Sequence, residues 1–171
     1  MLQFELAPGT GAIKQGSAIV VGSEESAGVF VMLGGCSGTI SGQDVVFSMP
    51  ADSRVVFRAE RGQDNTVGSA VADGAVAAEM YIADAGWTVG QDVVSYDDTE
   101  LFAFTASEEV VDVQVVGDSA GRSVVIHVSD AYLKYSSADE LTLQLDGVKV
   151  KRGAGMSETL WGAGEEPLYF V

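Results

Sequence analysis

Side chains able to do acid–base, nucleophilic or metal chemistry are few in kind here. His127 is the only histidine and Cys36 the only cysteine in 171 residues. One imidazole closes the multi-histidine metal sites of cupin-like barrels and leaves a single ring for proton transfer. His127 lies in Val124-Val125-Ile126-His127-Val128, where strand alternation puts it on the face of Val125 and opposite Ile126. That setting suits a structural or surface histidine. Cys36 sits in Leu33-Gly34-Gly35-Cys36-Ser37-Gly38, a turn able to offer backbone N–H groups to a thiolate. A Cys36–His127 pair is therefore the best nucleophilic arrangement available. Against it, a free cysteine more often packs as a small hydrophobe, and no nucleophile stands at a recognisable catalytic spacing. The reading is a non-enzyme with no catalytic residues.

Carboxylates are the abundant alternative. Asp97-Asp98-Thr99-Glu100 gathers three acidic groups in one turn before an apolar run, so Asp97, Asp98 and Glu100 are weak candidates for Ca²⁺. They lack the EF-hand loop pattern, and a solvated loop is the plainer reading, as it is for Glu108-Glu109 and Glu165-Glu166. A two-carboxylate hydrolase needs a particular facing pair, which the sequence does not single out among its 25 acids. Gly9-Thr10-Gly11 and Gly16 lack the strand–loop–helix context of a phosphate cradle, and no Gly-Lys-Ser/Thr follows. No cofactor is expected. Trp87 and Trp161, each beside a glycine, are candidates for stacking on a sugar or anchoring a subunit contact, with core packing the commoner fate of such rings.

The elements that must position these groups read as strands. Val-rich runs recur at Ala18–Val21, Val29–Leu33, Val45–Met49, Val55–Ala59, Leu101–Thr105, Val110–Val116, Val124–Val128, Leu141–Leu145 and Val148–Val150, with turn residues between them. Val111, Val113 and Val115 alternate with Asp112 and Gln114, the pattern of a half-buried strand. Asp146-Gly147 supplies the two positive-φ residues of a type I′ hairpin. Helix signal is confined to one turn near Ser157–Trp161, with Ser157 as its cap. Gly74–Ala83 is ambiguous between helix and strand and is read as strand. The block Gly-Gln-Asp-Val-Val occurs at Gly42–Val46 and again at Gly90–Val94, which opens the question of a duplicated sheet unit.

Breakers are scattered rather than gathered into a linker, and two smaller domains would each be marginal. The expectation is an all-β chain: one antiparallel β-sandwich or jelly-roll-like barrel over 1–171, with at most short helical turns.

Nine basic residues against 25 acidic ones give a net charge of −16, which repels nucleic acid and anionic lipid. Four lysines and one asparagine, Asn65, fit a GC-rich and halophilic source. At about 1 M salt the Debye length is only about 3 Å, so crowded carboxylates become tolerable. Met1–Leu6 lacks the basic and apolar regions of a signal peptide, and no run approaches a membrane span. The expectation is a chain made soluble, without membrane insertion, residing in a virion or similar assembly or else in the cytoplasm.

With 47% apolar residues and 21 glycines, the composition exceeds the usual share of ~45–50% for that combined set. Surplus apolar surface marks interfaces. In profile the chain resembles the sandwich or jelly-roll building blocks of virus capsids, virion decorations and cell-surface layers. The resulting expectation is a non-enzymatic subunit in a homo- or hetero-oligomer. The rivals are a carbohydrate- or protein-binding module around Trp87 or Trp161, and a carboxylate- or Cys36-dependent enzyme. Leu168-Tyr169-Phe170-Val171 is read as an edge strand or an arm that docks by strand addition.

Overall fold

A computed structural model describes residues 1–24, 26–61, 66–84, 89–107, 110–118, 121–129, 137–162 and 166–171. The chain is mostly β, its sheets are largely antiparallel, and no closed barrel forms among the described residues. It divides into two compact units, Met1–Ala75 and Val76–Val171, each with its own core.

The first unit contains β1 (Leu2–Glu5), β2 (Gly11–Gln15), β3 (Ala18–Gly22), β4 (Ser26–Leu33), β5 (Ser37–Ser41), β6 (Asp44–Ser48), β7 (Arg54–Arg61) and helix α1 (Thr66–Ala72). The strands form two antiparallel sheets, ordered β1-β6-β5 and β2-β3-β4-β7. Alternation turns Ile19 and Val21 of β3 and Phe30 and Met32 of β4 to one face, where they meet Val45 and Phe47 of β6 in a shared core. Phe30 bridges the sheets, its ring centroid 5.3 Å from that of Phe47 and 5.0 Å from that of Phe4. Gly38 of β5 is what lets the sheets close. A Cβ there would fall within 2.8–2.9 Å of Ile19, Met32 and Phe47 side-chain atoms.

The opposite face of the four-stranded sheet buries Ala18, Val29 and Val31, with α1 lying against β3 and β4. This helix was not expected from the sequence. Its end is a Schellman motif: Ala75 N–H donates to Ala70 O, Gly74 N–H donates to Val71 O, and Gly74 has φ 74°. Asp73-Gly74 is thus a helix stop, and the strand reading of Gly74–Ala83 holds from Val76 onward.

The second unit contains β8 (Val76–Asp84), β9 (Val89–Ser95), β10 (Glu100–Ser107), β11 (Val110–Val116), β12 (Ser123–Val128), β13 (Gln144–Leu145), β14 (Val148–Lys149), β15 (Lys151–Arg152), helix α2 (Met156–Trp161) and β16 (Leu168–Tyr169). Its main sheet is ordered β12-β8-β9, and β12 runs parallel to β8. β15 also pairs in parallel with β16, so the wholly antiparallel expectation is corrected at these two pairings. β10 and β11 make an antiparallel ribbon whose Leu101 joins the core of Ala78, Met80 and Ile82 on β8.

Turn chemistry explains the local folding. Leu145 and Val148 pair across Asp146 (φ 51°) and Gly147 (φ 78°), the type I′ geometry that Asp-Gly demands. α2 is preceded by Gly155 rather than capped by Ser157, and Glu158 accepts a 2.6 Å hydrogen bond from Ala154 N–H. The repeated Gly-Gln-Asp-Val-Val block takes two different structures: Gly42-Gln43 is the hairpin turn between β5 and β6, whereas Gly90-Gln91 lies inside β9. Similar residues in dissimilar settings argue against duplication.

Candidate functional site

The most chemically loaded cluster lies on the face of β8 turned away from its core. Ala78, Met80 and Ile82 point to the core, so alternation sends Glu79 and Tyr81 the other way. Register places Val125 of β12 and Val94 of β9 beside Glu79, and His127 and Asp92 beside Tyr81. Glu79 is 1% exposed. Its Oε2 accepts hydrogen bonds from the hydroxyls of Tyr96 at 3.2 Å and Tyr81 at 3.3 Å. Tyr81 stacks flat on His127, with centroids 4.3 Å apart and planes at 7°.

The cluster pairs a carboxylate with two phenols and an imidazole, but its reach is limited. Glu79 and Tyr96 are buried, and Tyr81, 42% exposed, carries the cluster to the surface. A general acid or base must come within hydrogen-bonding distance of substrate, and Glu79 is buried. A buried carboxylate satisfied by hydroxyl donors is the arrangement that fixes strand register and excludes alternative packing. The sequence signal was one acid inside the apolar run Val76–Ile82. Among 25 acidic residues it does not stand out.

Cys36 belongs to the first unit, where it packs against the core around Phe47, and burial pushes its thiol above the ordinary range. His127 belongs to the second unit and is engaged by Tyr81. The raised Cys36 thiol is the opposite of the lowering that activates a cysteine nucleophile.

Of the weak Ca²⁺ candidates, Asp97 is committed to the fold. Its Oδ1 accepts from Thr99 N–H at 2.6 Å and its Oδ2 pairs with Arg122 at 2.9 Å. Asp98 is exposed, and Glu100 enters β10. No group of three or more metal-ligating side chains gathers among the described residues.

Trp87 lies outside the described residues. Trp161 ends α2 and is 41% exposed. Leu168 and Tyr169 form β16 against Lys151 and Arg152, and the Tyr169 hydroxyl donates to Leu141 O at 3.0 Å. This stretch is therefore a strand within its own unit, and Phe170 beside it is exposed. In the first unit a shallow hollow of about 260 Å³ lies between Val21, Ala27, Phe57 and Ala59. Its wall is the Phe57 ring, which covers Gly28 where a Cβ would meet it at 2.6 Å.

The β10–β11 ribbon turns large apolar side chains outward. Leu101 and Ala103 face the core with Val111 and Val113, leaving Glu100, Phe102 and Phe104 outward opposite Val116, Gln114 and Asp112. Phe104 is 56% exposed, Val116 45% and Phe102 39%. The sequence marks Leu101–Thr105 as a strand run but not which of its two apolar sides, Leu101 and Ala103 or Phe102 and Phe104, is buried.

The fold and these surfaces define a mostly β protein with a buried polar brace and an apolar ribbon. Compared with family models, curated proteins and solved structures, the chain has no match. No helix among the described residues is long and apolar enough to cross a membrane.

Proposed function

We propose that the chain is a non-enzymatic structural subunit that self-assembles or co-assembles, a building block of capsid, virion-decoration or surface-layer type. The observation supporting this is the outer face of the β10–β11 ribbon, where two phenylalanines and a valine stand in solvent on long strands. Exposed aromatics on a regular element are what interface cores are made of. At the level of architecture we propose a β-sandwich, supported by the two sheets of the first unit meeting through Phe30 and Phe47. The buried position of Glu79 supports the non-catalytic side of the reading.

A binding module is the second reading, favoured by the exposed Trp161 beside Gly162. Negative-stain imaging of the concentrated chain, alone and mixed with coat proteins of its source, tests the first reading. Regular oligomers or arrays support assembly. A field of monomers in every mixture, with glycan binding lost in Trp161→Ala, would replace it with the second.

A further inference from the structure

The dipeptide Asp-Gly occurs twice, at Asp73-Gly74 and Asp146-Gly147. It is the aspartyl pair most open to attack by the chain on itself, because the residue after the aspartate has no side chain to shield its amide nitrogen. Both pairs lie at the surface. What differs is how firmly the backbone holds the attacking nitrogen.

At Asp73-Gly74 the nitrogen is committed. Gly74 N–H donates to Val71 O at 3.1 Å, and Asp73 N–H donates to Ser69 O at 2.9 Å. The Asp73 carboxylate is tied as well, its Oδ1 accepting from the side-chain amide of Gln15. Turning that carboxyl onto the Gly74 nitrogen means undoing the end of α1. At Asp146-Gly147 nothing comparable holds. A type I′ turn closes through the residues flanking its central pair, here Leu145 and Val148. The Gly147 N–H is left to solvent and, among the described residues, donates to no backbone carbonyl. The hairpin around it is two residue pairs long, all exposed, and so short a ribbon opens readily. Nothing lies within 4 Å of where a Gly147 Cβ would stand, so water reaches the turn.

We propose that Asp146 is a site of spontaneous isoaspartate formation, with the Gly147 nitrogen as nucleophile, and that Asp73 is protected. The Gly147 nitrogen bonds to Cγ of the protonated Asp146 carboxyl group. Its proton and the carboxyl hydroxyl leave as water, and a five-membered succinimide remains. Water then adds to one of the two ring carbonyls and the C–N bond at that carbon breaks. Cleavage at Cγ restores aspartate. Cleavage at the main-chain carbonyl leaves the chain running through Cβ and Cγ, with the old carbonyl carbon as the free carboxylate. Nothing is oxidised or reduced, and the mass returns to that of the starting chain. The product carries one extra carbon in its main chain. A two-residue loop has no slack for it, so the pairing of Leu145 with Val148 shifts, and with it the 2.9 Å bond from Val150 N–H to Leu143 O. This modification needs no partner protein and is independent of the assembly reading.

The test uses the folded full chain, aged in warm buffer at about pH 5, where ordinary carboxyls are still partly protonated as ring closure requires. Digests are read by electron-transfer mass spectrometry, which tells isoaspartate from aspartate, and by methyl transfer from an isoaspartyl carboxyl methyltransferase. The Asp146 peptide should hold at least about fivefold more isoaspartate than the Asp73 peptide, because the hydrogen bonds at Asp73 must open first. In chain aged in urea, where both turns are lost, the two sites should agree within about twofold. Asp146→Asn keeps the turn, to which Asn-Gly is equally suited. It closes the same ring with loss of ammonia and should accumulate isoaspartate faster still. Equal isoaspartate at the two sites of the folded chain, or more at Asp73, would overturn the proposal. So would an Asp146→Asn chain that stays unmodified. Isoaspartate at Asp146 that appears only in urea would mean that the folded turn locks the nitrogen away, and would overturn it equally.

Discussion

At the residue scale, Glu79 is a carboxylate held in the interior by two tyrosine hydroxyls. As a structural brace it should matter to stability through its acceptor oxygen. Glu79→Leu, which removes the acceptor from Tyr81 and Tyr96, should cost about 1–3 kcal/mol in urea unfolding, and Glu79→Gln, which keeps an acceptor, less than half of that. Equal losses would mean that negative charge rather than hydrogen bonding is what the site uses.

Cys36 gives a second residue-scale expectation. Burial disfavours its thiolate, so iodoacetamide should modify the folded chain more slowly than a model thiol and catch up on denaturation. Faster modification would revive the nucleophile. The sign for stability follows from linkage: the folded state holds the thiol proton to higher pH than the unfolded state, so this contribution is intact below the ordinary thiol range. It declines as pH rises through that range.

At the element scale, the turns and the regular alternations were legible, because each rests on chemistry local to a few residues. Asp146-Gly147 forms its hairpin, and the alternating Val110–Val116 run is a strand over the same residues. What the sequence hid depends on contacts between distant segments. β1 and β2 are short and largely exposed; β1 alternates Leu2 and Phe4 with Gln3 and Glu5 over too few residues to stand out, β2 has no clear apolar face, and both are held by pairing with β6 and β3. α1 is seven residues of mixed propensity that pack on the far face of β4. Its stop signal at Asp73-Gly74 was visible, but reading it as a cap needed the helix first. Gly38 is another such case, a strand glycine whose meaning appears only when Ile19, Met32 and Phe47 close around it. Gly38→Ala should cost about 1–3 kcal/mol by overpacking.

At the scale of the whole molecule, the same variant asks whether the two units fold as one. Both tryptophans, Trp87 and Trp161, belong to the second unit, while Gly38 belongs to the first. Read by tryptophan fluorescence, Gly38→Ala should shift the urea midpoint as much as it does by circular dichroism, the behaviour of the single domain anticipated for 1–171. A fluorescence midpoint that stays put would establish two independently folding parts. The candidate site was less legible than the fold. Composition pointed to surplus apolar surface without locating it, since Phe102 and Phe104 become distinguishable from core only once Leu101 and Ala103 are seen to face the other way.

The surplus and the charge act against each other in assembly. Phe102 and Phe104 favour association, while a net charge of −16 opposes association of like chains until salt screens it. The most direct test of the central claim is therefore absolute mass by light scattering after size exclusion, at about 0.15 M and about 3 M salt, for the native chain and Phe102→Ser/Phe104→Ser. The account predicts the 17.8 kDa monomer for the native chain alone at the lower salt. At the higher salt it predicts a defined oligomer that the serine variant fails to form. A native chain that stays monomeric at both salts and at high concentration would contradict it.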